Sequence, residues 1–148
     1  ALTNPTSFGL PRRTANGVDF GRLLLVTAVL SRRIGIRLGN QDVIVNATGG
    51  LRVKEPAADL GTALAIVSSV KDLPLGAETV AIGEVGLSGE LRSVSYLDRR
   101  VNEAARIGFK RAILPRLGTR NLIAPPGLTL VAVSNLREAI GLAWGSAP

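Results

Sequence analysis

The chain has 148 residues, of which 46% are hydrophobic and 20% are charged, and its formal net charge is +7. This length suits one domain with its own core, and this composition is typical of a globular chain. Cysteine and histidine are absent, which excludes disulfides, metal sites built on those residues, and Cys or Ser–His catalysis. No apolar run reaches the roughly 18 residues that a membrane span needs, and no signal-peptide pattern is present. We therefore expect no membrane partner, a cytoplasmic location and, since Met is absent, a domain excised from a larger protein.

The N-terminal third of the chain predicts an arm, a helix and a strand. Residues 1–17 are rich in Asn, Pro, Ser, Gly and Arg, and they read as an extended basic arm or loop. Apolar residues at helical spacing predict a helix over residues 18–35, which Gly35 can end. A β-branched run predicts a strand over residues 42–47.

Pro56 predicts the start of a second helix, because the first helical position does not need a backbone N–H. This helix should run to about residue 70. Its spacing places Leu60, Ala63, Leu64 and Val67 on the face that packs against the core.

The rest of the chain alternates short strands with helices. Strands are predicted over residues 79–85, 90–94, 111–114 and 128–133, and the first two are joined as a hairpin. A helix is predicted after a capping box at Ser95–Asp98, and it should end before Gly108. A last helix is predicted after a cap at Ser134. This mixture with a hairpin predicts the α+β class, with residues 18–148 forming a single domain.

The basic residues are mostly arginines. Lys and Arg total 18, and only Lys54, Lys71 and Lys110 are lysines. Two explanations stay open. The composition can reflect a genome that favours Arg codons, or the chain can bind a polyanion, because the guanidinium fork pairs with phosphate in a bidentate manner.

The sequence gives little support to catalysis. A Ser/Lys dyad needs a lysine amine held against a serine hydroxyl, and no lysine is placed to activate Ser68 or Ser69, which read as helix-surface hydroxyls. Asp59 and Asp98 lie in first helical turns, where a negative charge is favourable. The glycines at 83, 86 and 89 lead into a hairpin and not a helix, so they do not form a dinucleotide-binding fingerprint. The sequence also has no P-loop motif for ATP.

Two segments resemble the proteolytic domain of Lon-type proteases. They are Lys54-Glu55-Pro56-Ala57-Ala58-Asp59 and Gly83-Glu84-Val85-Gly86-Leu87-Ser88-Gly89-Glu90. At the family's nucleophilic Ser this chain has Ala57, and at the family's Lys it has Asp98. The resemblance therefore implies a hydrolase scaffold without its catalytic residues.

Longer segments resemble the C-terminal domain of the RadA (Sms) family of bacterial DNA repair proteins. They are residues 4–17, which include Pro-Arg-Arg-Thr-Ala-Asn-Gly, and residues 49–60, 83–92 and 108–112. The arm is the most specific, because ordinary Lon proteases lack it. This resemblance implies a fold like the Lon proteolytic domain and the second domain of ribosomal protein S5, with a mixed sheet and packed helices.

The same resemblance implies a zinc finger and a RecA-like ATPase core outside this chain, and rings, usually of six subunits, that act on branched recombination intermediates. ATP and zinc would belong to those other parts, so we expect no cofactor here.

The leading hypothesis is a non-catalytic module that binds the DNA backbone, in duplex or branched form, and helps to form the ring. The expected contacts are the pairs Arg12, Arg13 and Lys110, Arg111. Weaker candidates are Arg32, Arg33, Arg99, Arg100 and Arg116, although Arg99 can instead pair with Glu103.

Two alternatives remain. The first is a purely structural oligomerisation module, with DNA held by the ATPase core, whose interface would use Gly61, Ala63, Ala65 and the segment 142–144. The second is a residual peptidase that uses Ser68 or Ser69.

Overall fold

The computed structural model describes residues 1–144 of the chain. Those residues contain eight β-strands and four α-helices. The strands are β1 (Leu2–Pro5), β2 (Arg13–Asn16), β3 (Gln41–Asn46), β4 (Thr79–Ala81), β5 (Glu84–Val85), β6 (Leu91–Arg92), β7 (Arg111–Pro115) and β8 (Thr129–Val133). The helices are α1 (Phe20–Val29), α2 (Asp59–Lys71), α3 (Leu97–Arg106) and α4 (Leu136–Ala143).

The strands form two three-stranded sheets and one hairpin. In the first sheet β3 is central, antiparallel to β1 and parallel to β2. The second sheet has the order β4-β7-β8 and is parallel throughout. Strands β5 and β6 pair as an antiparallel hairpin, as predicted. Mixed and parallel sheets together with four helices confirm the α+β class.

The first two helices follow their predicted patterns. Helix α1 begins after Asp19, whose carboxylate accepts a hydrogen bond from the backbone N–H of Arg22 at 2.8 Å. It continues as a π-helical turn (Leu30–Ile34) and ends at Gly35 with φ of 86°, a conformation that favours glycine. Helix α2 follows a 3₁₀ turn (Pro56–Ala58). The residues predicted to face the core from α2 are Leu60, Ala63, Leu64 and Val67, and all are buried.

The N-terminal segment, predicted as an extended arm or loop, contains two strands that pair with the rest of the domain. Strands β1 and β2 lie on either side of β3 and pair with it along their whole length. The Asp42 carboxylate also closes the loop between them, accepting from the Arg12 backbone N–H at 2.8 Å and the Thr6 hydroxyl at 3.1 Å. These bonds lower the pKa of Asp42, the Arg12 backbone bond most. Pairing with a distant strand has overridden weak local β propensity.

The predicted strand over residues 79–85 is broken in two. Its first half, β4, belongs to the second sheet, and its second half, β5, belongs to the hairpin. At the break, the N–H of Gly83 donates to the carbonyl of Ala57 at 2.8 Å, and the N–H of Leu60 donates to the carbonyl of Gly83 at 3.0 Å. The chain leaves the sheet because this glycine bonds to the start of α2 instead.

Two predicted helix caps differ from the structure. Tyr96, with φ of 57° and no side-chain cap bond, precedes α3, so Ser95 does not form a capping box. Asn135, not Ser134, caps α4, and its side chain accepts from the N–H of Glu138 at 2.9 Å. Gly108, with φ of 103°, follows α3 as predicted.

Strand β7 separates two apolar clusters because its side chains alternate between the faces of the second sheet. Ile113 joins the larger cluster, which includes Val26 of α1 and Leu60 of α2. Ala112 and Leu114 join the smaller cluster, which lies against α3.

A buried ion pair connects both long helices to the hairpin. Asp59, the first residue of α2, is only 3% exposed. Its carboxylate binds the Arg22 guanidinium in a bidentate manner and accepts from the backbone N–H of Val85 at 3.0 Å. The hydrogen bond to Asp59 is the main cause that raises the pKa of Arg22 above its ordinary value. The structural role predicted for Asp59 is thus seen in its contacts.

We expect Asp59→Ala to lower the free energy of unfolding by about 3 kcal/mol, because it leaves the Arg22 guanidinium without its partner. This value is the lower end of the cost of breaking a buried ion pair, since the Arg22 side chain is 29% exposed. Urea denaturation measures this change. Glu103→Ala is the control, because the Glu103–Arg106 pair is exposed and should leave the midpoint nearly unchanged. A midpoint for Asp59→Ala equal to that of the control would contradict this role.

Candidate nucleic-acid interface

The two arginines at the start of β2 have different environments. The Arg12 side chain is exposed and forms no hydrogen bond or ion pair within the described residues. The Arg13 guanidinium is half-buried and donates to the carbonyls of Gln41 at 2.6 Å and Leu38 at 2.9 Å. Arg13 therefore satisfies backbone groups of the neighbouring segment, and Arg12 alone presents its charge to solvent.

The basic pair at the start of β7 divides in the same way. Lys110 is exposed, and only its backbone is engaged, through bonds with Glu78 and Thr129. The Arg111 guanidinium is half-buried and donates to the carbonyls of Ala143, at 3.0 Å, and of Leu142. These carbonyls end α4, where a cation is favourable. Arg111 thus caps a helix.

Arg12 and Lys110 lie on different sheets. Arg12 precedes β2 in the first sheet, and Lys110 precedes β7 in the second. No hydrogen bond or shared pocket among the described residues brings the two pairs together.

Most of the weaker candidates are engaged internally. Arg33 donates to the Leu87 carbonyl, Arg100 pairs with Glu55 at 3.3 Å, and Arg116 pairs with Glu138 at 3.0 Å. Of the five, Arg32 is exposed without such a partner in the described chain.

Arg99 does not form the predicted pair with Glu103. Its guanidinium lies over the ring of Tyr96, 5.3 Å from the centroid. Glu103 instead pairs with Arg106 at 2.6 Å, an interaction that lowers the pKa of Glu103.

Sequence reasoning missed several exposed cations. Further exposed cations that make no ion pair in the described part of the chain are Arg37, Arg52, Lys54 and Arg120. Lys54 does not pair with its neighbour Glu55, because that carboxylate pairs with Arg100. The sequence carried a signal that Arg37 and Arg52 are exposed, because each follows a glycine closely in a loop. For Arg37, no acidic residue within three positions is available to form an ion pair.

The two positions that the resemblance to Lon-type proteases assigns to a catalytic pair, Ala57 and Asp98, have ordinary contacts. Ala57 is buried in the turn before α2. Asp98 is exposed on α3, and its neighbour Leu97 shares an apolar cluster with Ala57. Ala57 therefore packs in an apolar cluster with the Glu55–Arg100 ion pair beside it, and Asp98 is exposed.

The serines and lysines of the dyad hypothesis have other partners. The Ser68 hydroxyl donates to the Leu73 carbonyl at 2.7 Å, and the Ser69 hydroxyl accepts from the Thr3 N–H at 2.8 Å. Lys71 lies over the Trp144 ring at 5.5 Å. Within residues 1–144, no hydrogen bond joins a lysine amine to a serine hydroxyl.

The described residues contain no group of three or more Asp and Glu side chains arranged to hold a metal ion. Among the same residues, no helix has the length and apolar character needed to cross a bilayer.

Comparison with protein families matches residues 17–117 to the family described as "Subunit ChlI of Mg-chelatase". The chain belongs to this family, and the matched region begins directly after β2 and ends two residues after β7.

Individual relatives are more specific. "DNA repair protein RadA" of Halalkalibacterium halodurans is 48% identical over 145 residues, which are 98% of this chain and 32% of the relative. The proteins of the same name from Bacillus subtilis and from Synechocystis sp. are 45% and 44% identical, over 98% and 97% of this chain and 32% and 28% of the relatives. The chain spans about a third of the length of these curated relatives. The resemblance to RadA proteins that the sequence motifs indicate is confirmed.

We expect Arg111→Gln to destabilise the fold by about 2 kcal/mol, because two carbonyls at the end of α4 lose a charged donor. Urea denaturation measures the change. Lys110→Gln is the matched control: it removes the same charge from the adjacent residue and should leave stability unchanged. Equal stability of the two variants would contradict the capping role of Arg111.

Proposed function

We propose that this chain is a non-catalytic, DNA-binding domain of a RadA-type DNA repair and recombination ATPase. The observation that supports this proposal is its set of exposed cations without ion pairs. In the described residues, those that also lack a side-chain hydrogen bond and an aromatic partner are Arg12, Arg32, Arg37, Arg52, Lys54, Lys110 and Arg120. Such side chains can neutralise phosphates and release counterions, which drives DNA binding without sequence preference.

The distribution of the acidic residues strengthens this argument. Ion pairs engage Glu55, Asp59, Glu84, Glu90, Glu103 and Glu138, six of the eleven acidic residues. The paired acids therefore offset Arg22, Arg92, Arg100, Arg106 and Arg116. The cations outside these pairs outnumber the other five of the eleven acidic residues and carry the +7 net charge.

We further propose that the α+β fold is of the Lon proteolytic type, like the second domain of ribosomal protein S5, with Ala57 and Asp98 in place of the nucleophile and the base. The apolar contact region shared by Ala57 and Leu97 supports this, because it brings together the turn before α2 and the start of α3. A methyl group and an exposed carboxylate cannot act as a Ser/Lys dyad, so the domain would act by binding, in the cytoplasm.

The family resemblance also implies ATP and zinc. The residues of this chain do not fit either group, since it has no P-loop, Cys or His. We assign both to the remaining two thirds of a RadA-type protein.

DNA binding is tested by fluorescence anisotropy of a labelled duplex and a branched DNA at several salt concentrations. We expect the logarithm of the affinity to fall linearly with the logarithm of salt concentration, with a slope of about −0.9 for each phosphate contacted. Arg12→Ala and Lys110→Ala should each reduce this slope by about 1. Arg106→Ala is the control, because it removes the same charge from a side chain that is paired with Glu103. A slope of zero would refute binding of the backbone of duplex or branched DNA by this chain.

Ring assembly, expected with six subunits, is the second part of the proposal. Phe8 and Leu10 are 94% and 87% exposed in the loop between β1 and β2, which Asp42 closes at its base. Large apolar side chains held on a fixed loop favour contact with a second copy. The interface proposed from small residues has less support, because Ala63 and Ala143 are buried in the core.

Light scattering tests this assembly over a range of concentrations. We expect the chain to form oligomers, and the double change Phe8→Ser and Leu10→Ser to shift it towards the monomer. Leu87→Ser is the control, because Leu87 is a similarly exposed (70%) apolar residue in another turn. Oligomers that do not bind DNA would favour the purely structural alternative. A loss of mass in the control alone would contradict the role of the loop.

A further inference from the structure

A polar cleft of about 700 Å³ opens beside the ends of β2 and β3. The end of β3 and the segment that follows it, residues 47–54, form one wall, and the start of α1 forms another. A cleft of this size is within the range of sites that hold small molecules. The cleft is not lined by the DNA-binding residues predicted from the sequence, nor by Ala57 or Asp98.

The cleft is rigid at its base. The carbonyl of Gly17 accepts from the N–H of Val53 at 2.7 Å, and the N–H of Asp19 donates to the carbonyl of Val53 at 3.2 Å. Gly17 has φ of 73°, and a Cβ there would lie 2.5 Å from the carbonyl oxygen of Leu51. Only glycine allows this approach of the two segments, so the cleft exists before any ligand binds.

One side of the cleft is cationic. Arg52 and Lys54 line it, are exposed and make no ion pair within the described chain. Asp19 is the one carboxylate among the lining residues, and it accepts the N–H of Arg22 at the start of α1. The two cations can therefore bind an anionic group such as a phosphodiester.

The cleft also has an aromatic ring and a pair of amides. Phe20 lines it and is 50% exposed, although it begins an otherwise well-packed helix. Across the ends of the paired strands, the Asn16 side-chain amide donates to the Asn46 side-chain oxygen at 2.7 Å. This bond leaves the Asn16 oxygen and the Asn46 amide nitrogen without a partner in residues 1–144. One acceptor beside one donor is the arrangement with which amides bind base edges.

We propose that this cleft binds one unpaired nucleotide of a single DNA strand. Its phosphate lies against Arg52 and Lys54, its base stacks on Phe20, and the Asn16–Asn46 pair binds the base edge. This inference rests on the proposed DNA-binding function and makes it more specific: exposed cations elsewhere bind the backbone, while the cleft binds a base released where strands branch. Stacking on an aromatic ring tolerates any base.

The test is fluorescence anisotropy with a labelled ten-nucleotide single strand. We expect Phe20→Ala to weaken binding about 5-fold or more, the effect of losing one base–aromatic stack. Phe20→Leu keeps apolar volume and should weaken binding similarly, which separates stacking from packing. Phe8→Ala is the matched control, since it removes an exposed ring outside the cleft. Thermal melting followed by circular dichroism checks that each variant is folded.

An abasic strand of the same length is the second probe. Its binding should be weak in the unchanged chain and insensitive to Phe20→Ala, whereas Arg52→Gln with Lys54→Gln should weaken binding of both strands. Equal affinity of the unchanged chain for the abasic and the normal strand would overturn the proposal. A free deoxynucleoside monophosphate that binds more tightly than the strand would also overturn it, in favour of a site for free nucleotides.

The two proposals can fail separately. A duplex-binding slope of zero, together with strand binding that depends on Phe20, would refute the broader function and leave the cleft. Salt-dependent duplex binding with strand binding unaffected by Phe20→Leu would refute the cleft alone.

Discussion

The Asp59 carboxylate is the point through which α1, α2 and the β5–β6 hairpin are held together. It is buried and bonds to Arg22 and to the backbone of Val85, so three segments distant in sequence share one anion. A buried charge requires such partners, because an unpaired one is costly. Asp59 lies only two residues after Ala57. The turn that carries Ala57 is therefore held beside a buried charge whose partners come from α1 and from the hairpin.

Arginine has two separate roles in this chain, and the surroundings of each guanidinium decide between them. Arg13, Arg22 and Arg111 are half-buried and donate to carbonyls or a carboxylate, where five fixed donors satisfy several acceptors at once. Arg12 and Lys110 follow the same sequence pattern of adjacent basic residues, yet they face solvent. In each basic pair one residue builds the fold and the other carries free charge. This follows from strands, where successive side chains point to opposite faces.

The sequence predicted the elements that depend on local periodicity and could not predict those that depend on distant partners. Helix α2 and its buried face follow from the spacing of apolar residues, and Gly35 and Gly108 end their segments because their backbone conformation favours glycine. Strands β1 and β2 have no such local signal, because their hydrogen bonds come from β3. The roles of Arg13 and Arg111 were hidden for the same reason, since their acceptors lie 25 to 32 residues away. The cleft at Gly17 depends on a contact with Leu51 that no spacing indicates.

Within residues 1–144, the buried polar side chains are hydrogen-bonded, and the cations without partners lie at the surface. Active sites commonly hold strained or unsatisfied polar groups in a cavity, whereas every buried side-chain nitrogen and oxygen in residues 1–144 has a hydrogen-bond partner. Ala57 packs in an apolar cluster, and the unpaired cations lie at the surface. A polyanion can meet these donors without entering the core. Arg52 and Lys54 follow β3 and line the cleft beside Phe20, whereas Arg12 lies at the opposite end of β2 and Lys110 on the other sheet.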